Sequence, residues 1–229
     1  TRFFSFANPG EEMAAVESLR DQLAKEKNLV ILFSDAIKGE AVRRLVAFGD
    51  SLGIPVKYVA LVDYANSRGA IDMGLVPELL PGYQPAPSRG MNIQEMLNAP
   101  DLDALWVIGA NPLESAPLAA TRAFVVVQEM FMTETAQRAD IILPAASAYE
   151  KDGTFTNVTG EVQRLRTALK VMGTKPDLEI FGLLAKELGI NLGVEAKPDP
   201  VFNEIRKVVR GYNVPLPVIA TGGAAQTAP

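Results

Sequence analysis

Five short apolar runs divide this chain, and each has the length of a buried strand. They are Leu29–Phe33, Val56–Leu61, Leu105–Ile108, Phe124–Val127 and Ile141–Leu143. Between several of them, apolar residues recur every three or four positions, which is the spacing of an amphipathic helix. Because the runs are apolar throughout rather than alternating, we expect parallel strands that are covered on both faces. The pattern therefore predicts an α/β protein with a doubly wound, mostly parallel sheet and helices on both faces.

Helix signals fall between and after these runs. An Asn-Pro start at Asn8 predicts a first helix and Glu40–Leu52 a second. A short helix is predicted at Asn92–Leu97, with Asn92 as its cap, and a further one at Leu113–Thr121. Two further helices are expected after the last run, opening at Pro176 and at Asp199. Strands and helices alternate along most of the chain, as they do in β-α-β folds.

The composition along the chain predicts how it is organised. We expect one Rossmann-like α/β domain at 1–165, with a long glycine- and proline-rich insertion at 62–92. Residues 166–210 are predicted as a helical appendage packed on the same domain. The prolines and glycines of 211–229 predict an extended or disordered tail. Since the chain starts at Thr1 rather than Met, we also expect it to be a piece of a longer protein.

Composition excludes several kinds of chemistry. The chain has no cysteine and no histidine, so thiolate metal sites, cysteine-ligated clusters and Ser-His-Asp triads are impossible within it. Its net charge is −5 and its basic residues are scattered, which argues against nucleic acid as a partner. No apolar run approaches the roughly 20 residues of a spanning helix, so we expect no direct membrane insertion. We predict neither a catalytic residue nor a metal ligand in this chain.

Polar residues stand at the ends of the apolar runs. Gly109 and Asn111 follow the third run, Gln128 and Glu129 follow the fourth, and Asp140 directly precedes the fifth. Open α/β sheets bind ligands outside the C-terminal ends of their strands, so these residues are the candidate binding positions. The alternative is that they cap helices, satisfy turn amides or pair with a nearby arginine. No Gly-x-Gly-x-x-Gly or phosphate loop accompanies them, which argues against ordinary nucleotide binding.

Three strings of this chain resemble the molybdopterin oxidoreductase family. They are ANSRGAIDMG at 65–74 with its continuation to LPGY at 80–83, GANP at 109–112, and a long string that runs from VQEMFMTETA at 127–136 through ADIILPA at 139–145 and EKDGTFTN at 150–157 to VQ at 162–163. The strings keep the family's order and together cover most of residues 62–165. A generic α/β domain needs none of them, so the resemblance is specific.

Within this family the chain looks like the C-terminal region of the large iron–sulfur subunit of NADH:quinone oxidoreductases (respiratory complex I). The resemblance implies a formate dehydrogenase/DMSO reductase-like domain that serves as a framework in the electron-transfer chain from NADH to quinone. It implies no cofactor in this fragment and iron–sulfur clusters elsewhere in the parent chain. The partners would be other domains of the same subunit and neighbouring subunits, in the cytoplasm and peripheral to the inner membrane.

Formate dehydrogenases and nitrate reductases share the same strings and provide the alternative interpretation. The chain would then be part of the region that binds molybdopterin guanine dinucleotide in an oxidoreductase. The resemblance would make Gly109, Asn111, Gln128, Glu129 and Asp140 a cradle for the nucleotide portion of that cofactor. Under the first interpretation the same cradle is inherited and vestigial.

Several departures from the family pattern favour a cradle without its cofactor. Formate dehydrogenase-like members have Arg-Gly-Gln where this chain has Val62-Asp63-Tyr64. The family's acid–glycine–arginine after the Gly-Thr-Phe-Thr-Asn string stands here as Thr159-Gly160-Glu161. An acid at the last position reverses the charge where a guanidinium would grip a phosphate. Gln128-Glu129 stands where active members have Gln-Asp, a milder change.

Overall fold

The computed structural model describes residues 18–34, 36–119 and 122–227. The chain forms two compact units, 1–64 and 65–229, and each is described by itself. Each unit contains one parallel sheet together with helices, which confirms the predicted α/β content. In the described part of the chain, no helix is long and apolar enough to cross a membrane.

The first unit holds one β-α-β motif. Strand β1 (Leu29–Ser34) leads through helix α1 (Glu40–Asp50) to strand β2 (Val56–Leu61), and the two strands pair in parallel over six residues each. Both apolar runs of this unit therefore form strands, as predicted. Most of the helix predicted from Asn8 lies outside the described residues. The part that the structure describes is helical over residues 18–23.

A glycine lets helix α1 approach strand β2. Gly49 is buried, and a Cβ atom at this position would lie only 2.0 Å from the Tyr58 hydroxyl oxygen. That hydroxyl donates to the carbonyl of Val46 at 3.2 Å, about one turn earlier in the helix. Tyr58 thus fastens the strand to the helix, and only glycine leaves room for it.

The second unit begins within the insertion at 62–92, which carries regular structure of its own. Two short helices and a two-stranded antiparallel ribbon lie in this insertion and directly after it: α2 (Ser67–Asp72), β3 (Leu79–Leu80), β4 (Gln84–Pro85) and α3 (Ile93–Asn98). The side chain of Asn92 caps α3 by accepting from the backbone N–H of Glu95, and the Glu95 carboxylate accepts from the N–H of Asn92. This reciprocal pair is a capping box, which fixes where the helix begins.

Three parallel strands follow, and they form the sheet that carries most of the candidate residues. They are β5 (Ala104–Ile108), β6 (Phe124–Glu129) and β7 (Ile141–Pro144), with β6 in the centre. The remaining three apolar runs of the sequence are therefore strands, as predicted. One face of the sheet packs into a buried cluster: Leu105, Val107, Val125, Val127 and Ala136.

The helix predicted between the first two of these strands, Leu113–Thr121, is wrong. Among residues 112–119, which the structure describes, only Pro112–Glu114 is helical, and it forms a 3₁₀ turn. Pro117 offers no backbone N–H, and it disfavours a helical conformation at the residue before it. The chain instead runs past helix α3, where the N–H of Ala119 donates to the carbonyl of Leu97 at 2.7 Å.

A second, antiparallel sheet completes the unit together with three helices. Its strands are β8 (Gly153–Thr156), β9 (Glu161–Leu165) and β10 (Ala224–Gln226), with β9 in the centre. The helices are α4 (Asp177–Glu187), α5 (Pro198–Val208) and α6 (Leu216–Ala220). The buried cluster between this sheet and the C-terminal segment comprises Val162, Phe202, Val209, Tyr212, Val214, Ile219 and Ala225.

The structure corrects the prediction of an extended or disordered tail at 211–229. Helix α6 and strand β10 lie in this segment, and β10 pairs with β9 on the side opposite β8. The reason is the burial of Val214 and Ile219, which are 2% and 1% exposed. Prolines and glycines separate these apolar residues along the chain, but they meet in one core.

The domain assignment from the sequence remains a prediction. The α/β domain at 1–165 extends across both compact units, since they divide between Tyr64 and Ala65. The helices of the appendage at 166–210 lie in the second unit, where Phe202 and Val209 join the same core as strand β9.

Candidate functional site

The C-terminal edge of the sheet β5–β6–β7 brings together four of the five predicted residues. Gly109 and Asn111 follow β5, and Gln128 and Glu129 end β6. The N–H of Gly109 donates to the carbonyl of Gln128 at 2.9 Å, so the two strand ends are directly joined. Gly109 has a φ of +59°, and no atom lies within 4 Å of where its Cβ would be, so its backbone faces open space.

Asn111 uses the whole hydrogen-bonding capacity of its amide within the protein. Its Oδ1 accepts from both the N–H and the hydroxyl of Thr135, at 3.0 and 2.8 Å. Its Nδ2 donates to Glu134 at 2.7 Å and to Glu114 at 3.2 Å. An asparagine amide offers two donors and two acceptor lone pairs, and all four are occupied. Asn111 therefore ties the loop after β5 to the loop after β6.

Three carboxylates lie at the C-terminal ends of β5 and β6 or in the segments that follow them: Glu114, Glu129 and Glu134. The hydrogen bond from Asn111 lowers the pKa of Glu134, which keeps that carboxylate ionised at neutral pH. Glu129 accepts from the N–H of Met130 at 2.8 Å. Within the described residues, no arginine or lysine is hydrogen-bonded to any of the three or forms an ion pair with it. This edge of the sheet is consequently acidic.

Gln128 is fully buried and links the sheet to helix α4. Its Nε2 donates to Asp177 at 2.7 Å, and the other carboxylate oxygen of Asp177 accepts from Lys151 at 2.6 Å. Its Oε1 has no hydrogen-bond partner among the described residues and is buried. Because this oxygen is inaccessible from outside, a ligand above the edge would not reach it.

Asp140 lies at the opposite edge of the sheet. It immediately precedes β7, and its Oδ2 accepts from the N–H of Val125 at the start of β6, at 2.7 Å. The structure thus separates Asp140 from the other four candidates. Its position before the strand, rather than after it, explains the difference, because N-terminal strand ends meet at the other edge of a parallel sheet.

A second polar site, which the sequence did not indicate, centres on Asp72. The carboxylate is 3% exposed and accepts from Arg68 Nε at 2.8 Å, from the Tyr212 hydroxyl at 2.8 Å and from the Tyr83 hydroxyl. The Tyr212 hydroxyl also hydrogen-bonds the Thr156 hydroxyl at 2.8 Å. The sequence shows that Arg68 and Asp72 are four residues apart, which predicts only an ordinary ion pair on a helix surface. The other partners of Asp72 are distant in the sequence.

Burial and the shared carboxylate shift the pKa values of this site. Burial raises the pKa of Tyr212, and burial together with its hydrogen bond to Asp72 raises the pKa of Tyr83. Burial alone would lower the pKa of Arg68, but its hydrogen bond to Asp72 and the carboxylate charge outweigh this and raise it. Both phenols therefore stay protonated, and the guanidinium stays charged. A cavity of about 540 Å³ adjoins the site, with Arg210 also in its wall.

The hairpin between β8 and β9 is held together by hydrogen bonds to Glu161 and Asn157. Glu161 accepts from the side-chain amide of Asn157 at 2.9 Å, and Asn157 Oδ1 accepts from the N–H groups of Thr159 and Glu161. Gly160 takes a φ of +86° between them. Glu161 therefore holds its own turn closed.

The family profile described as Molybdopterin oxidoreductase matches residues 36–187. This range contains the sheet β5–β6–β7, the acidic edge and the hairpin. The chain belongs to the molybdopterin oxidoreductase family.

Members of this family with different activities in their names are similar to this chain. It is 37% identical over 174 residues to the F420-dependent formate dehydrogenase subunit alpha of Methanocaldococcus jannaschii, which accounts for 64% of this chain and 26% of that protein. It is 34% identical over 179 residues to a putative formate dehydrogenase of Staphylococcus haemolyticus, with shares of 65% and 18%. It is 32% identical over 186 residues to an NADH-quinone oxidoreductase subunit of Rhizobium meliloti, with shares of 66% and 21%. The matched region thus spans about a quarter or less of each relative.

The edge residues of this chain do not fit the pyrophosphate of a pterin guanine dinucleotide. Proteins hold such groups with backbone N–H groups, arginine and lysine. Here the amide of Asn111 is saturated, and the neighbouring side chains of Glu114 and Glu134 are carboxylates. The open backbone at Gly109 is the one feature of a cradle that the structure retains among the described residues of this edge.

Proposed function

We propose that this chain is a structural, non-catalytic domain of the large iron–sulfur subunit in the peripheral arm of an NADH:quinone oxidoreductase. Its parent would carry electrons from NADH towards quinone. The observation that carries the proposal is the saturation of Asn111 beside the carboxylates of Glu114, Glu129 and Glu134. A site selected to hold a pyrophosphate would present unpaired donors there, not acids.

The charge reversal at Glu161 supports the same proposal. The position where the family has an arginine is occupied by an acid that hydrogen-bonds Asn157 across its own turn. An arginine there would extend a guanidinium towards a phosphate, whereas Glu161 contributes only to the hairpin. The relative that is named as an NADH-quinone oxidoreductase subunit is consistent with a role inside a multisubunit complex.

The proposal has consequences for cofactors, partners and location. The chain would hold no cofactor, and the iron–sulfur clusters would lie elsewhere in the parent protein. It would contact other domains of the same subunit and neighbouring subunits, in the cytoplasm and peripheral to the inner membrane. The chain would have a doubly wound, mostly parallel fold with helices on both faces.

A second candidate function is the cofactor-binding region of a molybdopterin-dependent oxidoreductase such as a formate dehydrogenase. The observation in its favour is the 37% identity to a formate dehydrogenase subunit, against 32% to the NADH-quinone oxidoreductase relative. In that case Gly109 and its neighbours at the sheet edge would contact the nucleotide portion of the cofactor.

Cofactor content separates the two functions. The full protein that contains this chain would be produced in a host that makes molybdopterin, and its pterin, molybdenum, tungsten and iron would be measured per chain. A formate dehydrogenase produced in the same host would be the control for cofactor supply. We expect iron without pterin, molybdenum or tungsten. Stoichiometric pterin in the purified protein would overturn the proposal.

A further inference from the structure

We propose that the cavity beside Asp72 is a binding site for a small organic anion, held through its carboxylate or phosphate group by Arg68 and Arg210. The cavity has a volume of about 540 Å³. This inference is independent of the proposed function, because it concerns neither the sheet edge nor the pterin cofactor.

The first argument is that Asp72 fixes Arg68 in place. The carboxylate is 3% exposed, and Arg68 Nε donates to it at 2.8 Å. The hydroxyls of Tyr83 and Tyr212 donate to the same carboxylate from two other segments. A guanidinium that is held by one edge loses less conformational freedom when its remaining N–H groups bind a ligand.

The second argument is that cationic donors remain unused. A guanidinium has five N–H donors, and Arg68 uses Nε to bind Asp72 while also lying beside the Tyr83 hydroxyl, so further donors remain for a ligand. Arg210 lines the same cavity and forms no ion pair or side-chain hydrogen bond in the described part of the chain. We infer that Arg68 and Arg210 can both offer N–H donors to one ligand.

The third argument is the charge of the wall. Arg68, Arg210 and Asp72 are the charged residues that line the cavity, so two cations face one carboxylate. That carboxylate is buried beneath Arg68 and already accepts from three donors. The surplus is positive in a chain whose net charge is −5. Such a local field attracts anions.

The fourth argument is the backbone conformation at Tyr83. This residue has a φ of +62°, which is sterically unfavourable for a side chain of its size. It is held there because Tyr83 reaches Asp72 and because the N–H of Gly82 donates to the carbonyl of Asp72 at 2.8 Å. Conformations of this kind persist where the surroundings enforce them, and they cluster at ligand sites.

The cavity suits a ligand of metabolite size. Small-molecule sites have volumes of roughly 300–1,000 Å³, and this cavity falls within that range. Guanidinium groups match both the planar carboxylate and the tetrahedral phosphate in geometry, so either group would be recognised. Binding of inorganic phosphate and binding of a dicarboxylate, measured separately, distinguish a phosphate site from a carboxylate site.

The test is an NMR titration of the chain with inorganic phosphate and, separately, with succinate at constant ionic strength. We expect saturable shifts of the Gly82, Tyr83 and Arg210 amide signals with at least one probe. Binding of phosphate alone would identify a phosphate site, and binding of succinate alone a carboxylate site. Absence of a saturable shift with both probes would overturn the proposal.

The variant Arg210→Gln tests the site without touching the Asp72 network. We expect it to weaken binding of the active probe about tenfold or more, because it removes a charge-assisted hydrogen bond to the anion. Arg166→Gln, at an exposed arginine outside the cavity, is the matched control and should leave the affinity unchanged. An equal loss of affinity in both variants would mean that the anion responds only to the overall charge of the protein, and it would contradict the proposal.

Discussion

Asp72 is the residue at which distant parts of the second unit are joined. Its hydroxyl donor Tyr212 lies 140 positions further along the chain, and Tyr83 approaches from the turn between the two strands of a short ribbon. A buried carboxylate of this kind is stable only while its donors stay in place, because desolvation without partners is unfavourable. The network therefore couples the insertion at 62–92 to the C-terminal core.

Replacing this carboxylate should destabilise the unit. Asp72→Asn keeps the shape but removes the charge from Arg68 and places an amide where two hydroxyls donate. We expect the free energy of unfolding to fall by about 2–3 kcal/mol, the contribution of hydrogen bonds to a charged group. Urea unfolding followed by circular dichroism measures it. Asp101→Asn, at an exposed position, should stay within about 0.5 kcal/mol, and an equal loss in both variants would contradict the assignment.

Gly74 and Gly189 of the second unit allow a comparison of what a methyl group costs in a crowded and in an open position. Gly74 has a φ of +73°, and a Cβ there would lie 2.5 Å from the backbone carbon of Leu80. Gly189 has a φ of +67° with nothing within 4 Å of its Cβ position. Both alanine variants lose about 1 kcal/mol to the left-handed conformation.

We expect Gly74→Ala to lose about 1–3 kcal/mol more than Gly189→Ala, because backbone atoms must move to admit the methyl group. Thermal and urea unfolding of the two purified variants would measure the difference. Losses of the same size would show that the close approach at Leu80 relaxes without cost.

The residue scale also shows what a sequence can and cannot reveal. Gly109, Asn111, Gln128 and Glu129 could be placed at one sheet edge because each follows an apolar run, and the structure brings them together there. Their hydrogen bonds could not be foreseen, since Glu134 and Thr135 reach Asn111 from another loop. The partners of Asp72 were equally invisible, because no local pattern connects it with Tyr212.

At the scale of elements, the C-terminal segment closes the antiparallel sheet. Strand β10 pairs with β9, and α6 packs Ile219 into the core that also contains Val162 and Phe202. The segment is therefore part of the fold of the second unit.

Ile219→Ala tests this role of the segment. Ile219 is 1% exposed, and removal of its side-chain carbons from the core should cost about 2–5 kcal/mol. Val218→Ala, in the same helix and 42% exposed, is the control and should cost much less. Chemical denaturation gives both values. A small effect at Ile219 would favour the extended tail predicted from the sequence.

Elements were predictable where one physical signal dominated. All five apolar runs are strands, because a short apolar run bounded by turn residues is typical of a strand. They are not buried throughout, since each run keeps an exposed apolar side chain: Leu32, Leu61, Trp106, Phe124 and Ile141. The prediction of a helix at Leu113–Thr121 was wrong because it rested on the spacing of apolar residues, whereas Pro117 opposes a helix there. The prediction of an extended or disordered tail at 211–229 was wrong because it rested on the proline and glycine content of the segment. Val214 and Ile219 pack against residues that are distant in the sequence, so their burial could not be predicted from the segment alone.

At the scale of the whole molecule, charge is distributed unevenly. The net charge is −5, and the edge of the sheet β5–β6–β7 adds the carboxylates of Glu114, Glu129 and Glu134. The cavity at Asp72 is lined by two guanidinium groups, Arg68 and Arg210, of which Arg68 pairs with Asp72. Anions and cations should thus be drawn to different places on this chain.

The two phenols that donate to Asp72 give the stability of the molecule a dependence on alkaline pH. Folding raises the pKa of Tyr83 and Tyr212 above the ordinary value of 10.0. The unfolded chain therefore loses these protons first, so the stabilisation is complete below pH 10.0 and falls as pH rises towards the folded pKa values.

We expect the free energy of unfolding to decrease from about pH 9 to about pH 11 and the decrease to be smaller in a Tyr83→Phe/Tyr212→Phe double variant. Urea unfolding at both pH values would measure it. Tyr149→Phe, at a position that is 71% exposed, serves as the control. A double variant with the same pH dependence as the unmodified chain would contradict the raised pKa values.

The edge-to-face contact between Trp106 and Phe181 has an optical consequence. Trp106 is the single tryptophan of the chain, and its ring centroid lies 5.5 Å from that of Phe181 on helix α4. Its fluorescence emission therefore reports on one contact of the second unit, whereas circular dichroism averages over the helices of both units. If the two signals change at different denaturant concentrations, the units unfold as separate cooperative bodies.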